Sequence, residues 1–268
     1  MKGAYLIMYE YTSLIVSVEE NVALVKLNNP DSLNALNDGI KADLFDFFQL
    51  AKNDNNIKSI VLTGEGRAFC AGGDINSLKE VTTPDKGRSR IKKLHELILL
   101  IRNIEKPVIA AVNGYAVGAG FNLALACDII IGAENCKFSQ IFANIGLIPD
   151  AGGLYFLPRL VGPLKAKELS FSARMVKAEE AEKIGLVNKI VPLENLLEES
   201  MDFAKSLANG PSVAIGYIKT LVNRSMDWDL YTLFDNEAYA QGICLTTEDF
   251  KEGTNAFKEK RKPEFKGK

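Results

Sequence analysis

The chain has few of the side chains that metal sites and disulfide frameworks require. Among 268 residues there is one histidine, His95, and there are four scattered cysteines, Cys70, Cys127, Cys136 and Cys244, none in CxxC spacing. These counts exclude a histidine-rich metal site and argue against a structural zinc site or a disulfide framework. We therefore expect no metal, and free thiols in a cytoplasmic protein.

The chain also lacks a dominant charge and any long hydrophobic run. It has 32 Lys and Arg against 34 Asp and Glu, which gives no general attraction to nucleic acid. No stretch reaches the roughly 18 apolar residues of a membrane span, and the N-terminus does not resemble a signal peptide. We expect neither a membrane nor a nucleic-acid partner, and we interpret the basic end at residues 258–268 as a solvated terminus or a phosphate contact.

Strand and helix patterns alternate along the first part of the chain, which is typical of an α/β layered fold. The predicted elements are a hairpin at 14–28, a helix from Asp38, buried strands within 58–66, 107–114 and 127–133, and a helix within 86–103. From about residue 164 the patterns turn helical, with three long amphipathic stretches towards the end. We place a weak domain boundary between 1–205 and 206–268.

Two loops rich in small residues follow predicted strands. They are RAFCAGGD at 67–74 and NGYAVGAG at 113–120, and each precedes a helical segment. Small residues let a ligand approach backbone N–H groups, and two loops that each aim one amide at the same oxygen form an oxyanion hole. Glycines after strands are also ordinary turn residues. The second loop lacks the G-x-G-x-x-G spacing of a dinucleotide site.

Several separated segments resemble the crotonase family, the enoyl-CoA hydratase/isomerase superfamily. They are LNNPDSLNALN, AFCAGGDI, KPVIAAVNGYAVGAGFNLALACDIII, FSQIFANIGLIPDAGG and EGTNAFKEKRKPEF. The resemblance runs from about residue 13 to residue 265. It implies a spiral core of repeated ββα units, a C-terminal helical trimerisation region and a homotrimer or hexamer. It also implies an acyl-CoA thioester as substrate, with no cofactor beyond the coenzyme A that the substrate carries.

The same resemblance implies a set of site residues. The oxyanion hole is expected at the backbone amides of Ala71 and Ala119. Residues expected to contact the substrate or its coenzyme A are Asn34, Ala35, Leu36, Ala68, Ala71, Gly72, Gly73, Asp74, Ala119 and Phe142, with Phe257 and Lys260 supplied by a neighbouring subunit.

The acids of this site decide its chemistry. Hydration uses two carboxyl groups, and the resemblance places Asn122 and Phe142 where hydratases have glutamates, so water addition is disfavoured. Asp150 remains, in IPDAGG. It is either a turn-capping residue or a catalytic base next to an apolar wall. An acid here resembles the dienoyl-CoA isomerases and the phenylacetate-pathway epoxide/oxepin isomerases, which favours double-bond isomerisation with Phe142 excluding water.

Other interpretations stay open. His95 is either a partly buried helix residue or the water-activating partner of an Asp nucleophile, as in hydrolytic dehalogenases of this fold. The chain is alternatively a hydratase or lyase, or a non-catalytic family member that binds acyl-CoA, RNA or protein. Asp128 is interpreted as a structural residue at the start of a strand.

Overall fold

A computed structural model describes residues 7–75, 79 and 81–268 of the chain. The strands are β1 (Ile7–Glu10), β2 (Leu14–Glu19), β3 (Val22–Leu27), β4 (Ser59–Gly64), β5 (Ala68–Cys70), β6 (Val108–Val112), β7 (Tyr115–Val117), β8 (Ile129–Ala133), β9 (Lys137–Ser139), β10 (Val176–Lys177) and β11 (Lys189–Val191). The helices are α1 (Asp38–Asn53), α2 (Pro84–Asn103), α3 (Ala119–Leu125), α4 (Gly153–Ser172), α5 (Ala178–Lys183), α6 (Leu196–Ala208), α7 (Ser212–Arg224), α8 (Leu230–Cys244) and α9 (Glu248–Glu259).

Seven strands form one large sheet in the order β1-β2-β3-β4-β6-β8-β11. The first three strands pair antiparallel, and the predicted hairpin is confirmed as β2 and β3, whereas the pairs from β3 to β11 are parallel. The central strands β4 and β6 are buried along their whole length, as expected for parallel strands covered on both faces.

A second sheet has the order β10-β9-β7-β5. Successive short units each give one strand to each sheet: β4 is followed by β5, β6 by β7, and β8 by β9, with a helix returning the chain. The spiral of repeated ββα units is thereby confirmed. Residues 68–70 and 115–117, predicted as loop, are strands of this second sheet. At three residues each they are too short to give a recognisable alternation of apolar and polar positions.

Local side-chain caps fix where the helices begin. The Asn37 side chain accepts a hydrogen bond from the Ile40 N–H at 2.8 Å, so α1 starts at Asp38 as predicted. Thr83 caps α2 in the same way and is followed by Pro84, which suits the first helical turn. The apolar faces of both helices pack into the main core below the large sheet.

The other face of the large sheet is covered by α6. Its buried residues Leu196, Ala204 and Ala208 pack against strand residues such as Val61 and Ile109. Residue 205 therefore lies within a helix that belongs to the packing of the core. The division of the chain into 1–205 and 206–268 stays a prediction.

The end of the chain contains more helices than predicted. In place of three long stretches there are α6, α7, α8 and α9, because Asn209-Gly210-Pro211 separates the first two of them. None of the helices in the described ranges is long and apolar enough to cross a membrane.

One ion pair attaches α7 to the core. The Lys219 ammonium, 7% exposed, lies 2.7 Å from Asp128 Oδ2 and donates to the carbonyl oxygens of Ile101 and Lys106 at 3.2 and 3.0 Å. Asp128 also accepts from the Val108 N–H at 2.8 Å, at the start of β6. The structural role predicted for Asp128 is consistent with these bonds, which join α7, β6 and the end of α2.

Replacing Lys219 with methionine is expected to destabilise the protein by roughly 3 kcal/mol, because the Asp128 carboxylate and two carbonyl groups lose their shared donor. Chemical unfolding followed by circular dichroism measures the loss. The matched control is Lys219→Met with Asp128→Asn, which removes both charges and is expected to recover part of it. Unchanged stability in the single variant would contradict this account of α7.

Candidate active site

A cavity of about 830 Å³ opens between the two small-residue loops, α2 and the turn that precedes α4. Gly72, Gly73 and Ala119 contribute backbone from the loops, and Asp150 contributes a carboxyl group from the turn. The sequence therefore brings together the two loops and the acid that it singled out. A second cavity, of about 550 Å³, lies among α7, α8, α9 and the C-terminal end, and its lining residues are distinct from those of the first.

The two loops approach each other so closely that a Cβ atom does not fit at Gly72, Gly114 or Gly120. A Cβ atom on Gly120 would lie 2.2 Å from the Cys70 carbonyl oxygen. Gly72 has a φ of +99°, and a Cβ there would lie 2.8 Å from the Val117 carbonyl oxygen and 3.5 Å from the Ala119 nitrogen. The backbone of the first loop thus lies directly beside the first amide of α3.

Backbone amides of the two loops differ in their availability. Ala119 begins α3, so its N–H has no acceptor within the helix. The Ala71 N–H, by contrast, donates to the Leu33 carbonyl oxygen at 2.9 Å. The expectation that Ala71 supplies an oxyanion amide is wrong, because this hydrogen bond holds its N–H in the loop structure.

Two further amides of the first loop belong to residues that line the cavity, Gly72 and Gly73. Burial raises the pKa of the Cys70 thiol to about 12, and the Gly72 N–H opposes the rise. Gly72 itself is buried. Gly73 is exposed at the cavity wall and its amide is the candidate that the sequence reasoning missed.

Asp150 is half-buried at the floor of the turn. Its Oδ1 atom is buried and has no hydrogen-bond partner among the described residues. Burial raises the pKa of this carboxyl group above its usual range, while the charge of His95 and a backbone N–H hydrogen bond oppose that shift. A turn-capping aspartate would accept from the backbone amides of following residues, whereas the backbone N–H that opposes the shift is that of Asp150 itself. A buried Oδ1 without a partner among the described residues therefore favours a functional role.

The wall around Asp150 is mostly apolar. Phe142 is 7% exposed and lies in a short 3₁₀ helix, Ile141–Ile145, that faces the cavity. His95 is exposed on α2 and lines the same cavity, which corrects the interpretation of it as a partly buried helix residue. Further apolar lining residues are Ile75, Val81, Ile91, Leu94, Val117, Ile145, Leu147, Ile148 and Leu154.

Some predicted contact residues support the cavity from behind. The fully buried Asn34 donates to the carbonyl oxygens of Glu65 and Ala68 at 2.9 and 2.8 Å. Leu36 pairs with Gly73 in an isolated parallel bridge and does line the cavity.

Four further predicted residues are not among the described residues that line this cavity. Ala35 and Asp74 are half-buried in the two loop segments. Phe257 is 86% exposed near the end of α9 and lines the second cavity, and Lys260 caps that helix. A single chain does not test their expected role in a neighbouring subunit, which stays a prediction.

Two cationic side chains at the cavity were not found in the sequence. Lys41 of α1 and Arg90 of α2 are among the lining residues. Both lie on amphipathic helices, where charged residues usually face solvent. The sequence therefore carries no signal that distinguishes these two residues from the other charged residues of the helices. Within the described ranges, no cluster of three or more His, Cys, Asp or Glu side chains is placed to hold a metal ion.

Comparison with known proteins identifies the family of this site. A family model described as enoyl-CoA hydratase/isomerase matches residues 17–268. The chain belongs to the enoyl-CoA hydratase/isomerase family. The 1,2-epoxyphenylacetyl-CoA isomerase of Escherichia coli is 38% identical over 95% of this chain and 98% of its own length. The short-chain-enoyl-CoA hydratase of Clostridium acetobutylicum is 39% identical over the same shares of the two chains.

Solved structures of the enoyl-CoA hydratase/isomerase family share the fold. A Geobacillus kaustophilus structure titled as enoyl-CoA hydratase subunit I superimposes with a TM-score of 0.91 at 37% identity, over 97% of this chain and 100% of that one. A putative enoyl-CoA hydratase from Streptomyces coelicolor gives 0.92 at 34% identity, over 100% and 99%. The resemblance seen in the motifs is thus confirmed, and the chain is an enzyme of this family.

The carboxyl group of Asp150 is expected to titrate above the usual aspartate pKa of about 3.9, because burial penalises its charged form. The variant His95→Gln removes a positive charge that favours the carboxylate, so the pKa should rise further. The control His95→Lys keeps a positive charge, so its Asp150 pKa should be closer to that of the parent. Carbon-13 NMR of the side-chain carboxyl follows all three. An Asp150 pKa in the usual aspartate range, or one that is the same in the parent and both variants, would contradict this description.

Proposed function

We propose that the protein is an isomerase that moves a double bond in an unsaturated acyl-CoA, with Asp150 as its single acid–base group. The observation that carries the proposal is the lining of the cavity. Asp150 is the one carboxylate among the described residues that line it, and its pKa is raised. Hydration requires a second acid, and the two positions that could supply one hold Asn122 and Phe142.

In this proposal Asp150 takes a proton from a carbon conjugated with the thioester. The electrons of the broken C–H bond move onto the carbonyl oxygen to give a dienolate. That oxygen is stabilised by the N–H groups of Ala119 and Gly73; Gly72, the neighbour of Gly73, lies against the backbone at Val117 and Ala119. Asp150 then returns the proton to a different carbon, so that the product is an isomer of the substrate. Phe142 limits the access of water, so that proton transfer within the substrate competes with exchange into solvent.

The substrate is proposed to be an acyl-CoA thioester with an apolar acyl group. The names of the two relatives describe one as an isomerase and one as a hydratase of CoA esters, so the thioester is common to both. The apolar lining supports a hydrocarbon acyl group, because polar groups desolvated there would lose their hydrogen bonds to water. Lys41 and Arg90 are cationic lining residues that also pair with Asp38, and we propose that their positive charge attracts the coenzyme A phosphates. We further propose a cytoplasmic location.

A second candidate is hydrolytic dehalogenation of an aroyl-CoA, in which the Asp150 carboxylate forms an ester at the ring carbon as halide leaves. Water activated by His95 then hydrolyses that ester, which releases the hydroxylated product and restores Asp150. The observation that favours this candidate is that both side chains line one cavity. Mass spectrometry of products from a panel of unsaturated and halogenated acyl-CoAs separates the reactions: isomerisation conserves mass, hydration adds water, and dehalogenation replaces halogen with hydroxyl. A binding protein without activity would leave every acyl-CoA of the panel unchanged.

The variant Asp150→Asn is expected to lower isomerisation and exchange of substrate protons into deuterated water together, by about 10²- to 10⁴-fold. The amide keeps the shape of the side chain but cannot accept the proton. Coenzyme A binding and thermal stability should change little. Exchange is measured by mass spectrometry across the acyl-CoA panel, which reports dienolate formation even when the acyl group is not the natural one.

The matched control is Asp85→Asn, which removes an exposed carboxylate from the first turn of α2. It should retain parental exchange. If Asp150→Asn kept exchange and turnover within about threefold of the parent, Asp150 would be a turn residue and the proposed function would fail.

We also propose that the protein forms a trimer or a hexamer. The part of the chain after residue 210 exposes several large apolar side chains: Ile218, Val222, Met226, Leu230, Tyr231, Phe234, Tyr239 and Phe257. A monomer rarely leaves so much apolar surface in water. Light scattering should give three or six chain masses at micromolar concentration, and a stable monomer would contradict the proposal.

A further inference from the structure

Two side-chain amides connect the interior of the protein to the backbone of Asp150. Asn122 of α3 is fully buried, and its Nδ2 donates to the Asp150 carbonyl oxygen at 2.8 Å. Gln140, 1% exposed directly after β9, donates from Nε2 to Asn122 Oδ1 at 2.7 Å. Neither is among the described residues that line the cavity, so both act from behind its wall.

The direction of these bonds is fixed by chemistry. The Asp150 carbonyl oxygen only accepts, so Asn122 must present its NH₂ group to it and turn its oxygen to Gln140. Gln140 must then present its own NH₂ group. This arrangement leaves Gln140 Oε1 buried without a partner among the described residues, which is unfavourable for stability. Packing alone does not account for a buried pair of amides in this arrangement.

The backbone that Asn122 holds is a constrained turn. The Gly153 N–H donates to the same carbonyl oxygen at 2.8 Å. Ala151 and Gly152 have φ values of +46° and +82°, and the first is uncommon for a residue with a side chain. Strained residues of this kind persist where the surroundings hold them. A Cβ on Gly153 would lie 2.5 Å from both the nitrogen and the oxygen of the Asn122 amide, so turn and amide are in close contact.

We propose that Asn122, oriented by Gln140, is a positioning residue that fixes the backbone of Asp150 and so directs its carboxylate into the cavity. The proposal rests on the function proposed for Asp150. Transfer of a proton between two carbons by one group depends on the placement of that group, and a displacement of 1 Å is enough to cost about 100-fold in rate.

Three variants test the proposal: Asn122→Leu, Gln140→Leu and the double variant. Asn122→Leu should lower kcat by about 10- to 100-fold with little change in KM. It should also move the acid limb of the kcat profile to lower pH, because a displaced Asp150 is less buried and its pKa falls towards the ordinary value. Loss of folding stability alone moves neither quantity.

Gln140→Leu should have a smaller effect in the same direction. If Gln140 acts through Asn122, the double variant should be no slower than Asn122→Leu. The control Ser59→Ala removes a buried hydrogen bond to the Ala204 carbonyl oxygen. Neither residue is among the described residues that line the cavity, so kcat and the acid limb should stay unchanged.

A folded Asn122→Leu protein with kcat within about twofold of the parent and an unchanged acid limb would overturn the proposal. Additive losses in the double variant would overturn the role of Gln140. If Asn122→Leu does not fold, kcat and the acid limb are measured for Gln140→Leu instead. A kcat and an acid limb equal to those of the parent would then overturn the proposal. Failure of the proposed function is recognised separately, because Asp150→Asn would then retain its activity.

Discussion

The close approach of the loop at residues 70–73 to the first turn of α3 is the constraint on which the site depends. No side-chain carbon fits between the two segments at Gly120 or Gly72, so β5 and β7 of the second sheet bring two backbones into direct contact. Because that contact is made by main chain, the amides beside it have fixed positions before any ligand arrives. A preorganised pair of donors needs no rearrangement when charge develops on an oxygen.

Asp150 and the backbone amides of the site belong to different parts of the structure. The amides are set by the spiral of ββα units, whereas Asp150 lies on a turn whose shape is determined by hydrogen bonds from Gly153 and Asn122. The spiral can therefore remain the same while the acid-bearing turn changes.

Motifs and strand patterns predicted the layered fold and the two small-residue segments, because long buried strands and runs of small residues leave strong signals. Part of each segment is a short strand that these patterns did not show. The catalytic role of Asp150 stays a prediction. The amide of Ala71 was assigned wrongly, since a hydrogen bond to Leu33 is a contact between loops that no local pattern reveals. The position of His95 at the cavity depends on how α2 packs against the rest of the protein, and this packing cannot be derived from helical periodicity. The bond between Asn122 and Asp150 joins segments 28 residues apart and had no signal of its own.

Helix α6 bears on how the chain can be shortened. Its buried residues, among them Ala204 and Ala208, cover one face of the large sheet on both sides of residue 205. A fragment that stopped there would lose the last turn of the helix and uncover part of an apolar sheet face, which favours aggregation. The smallest fragment that keeps the sheet covered must therefore extend through residue 208, to the Asn209-Gly210-Pro211 break.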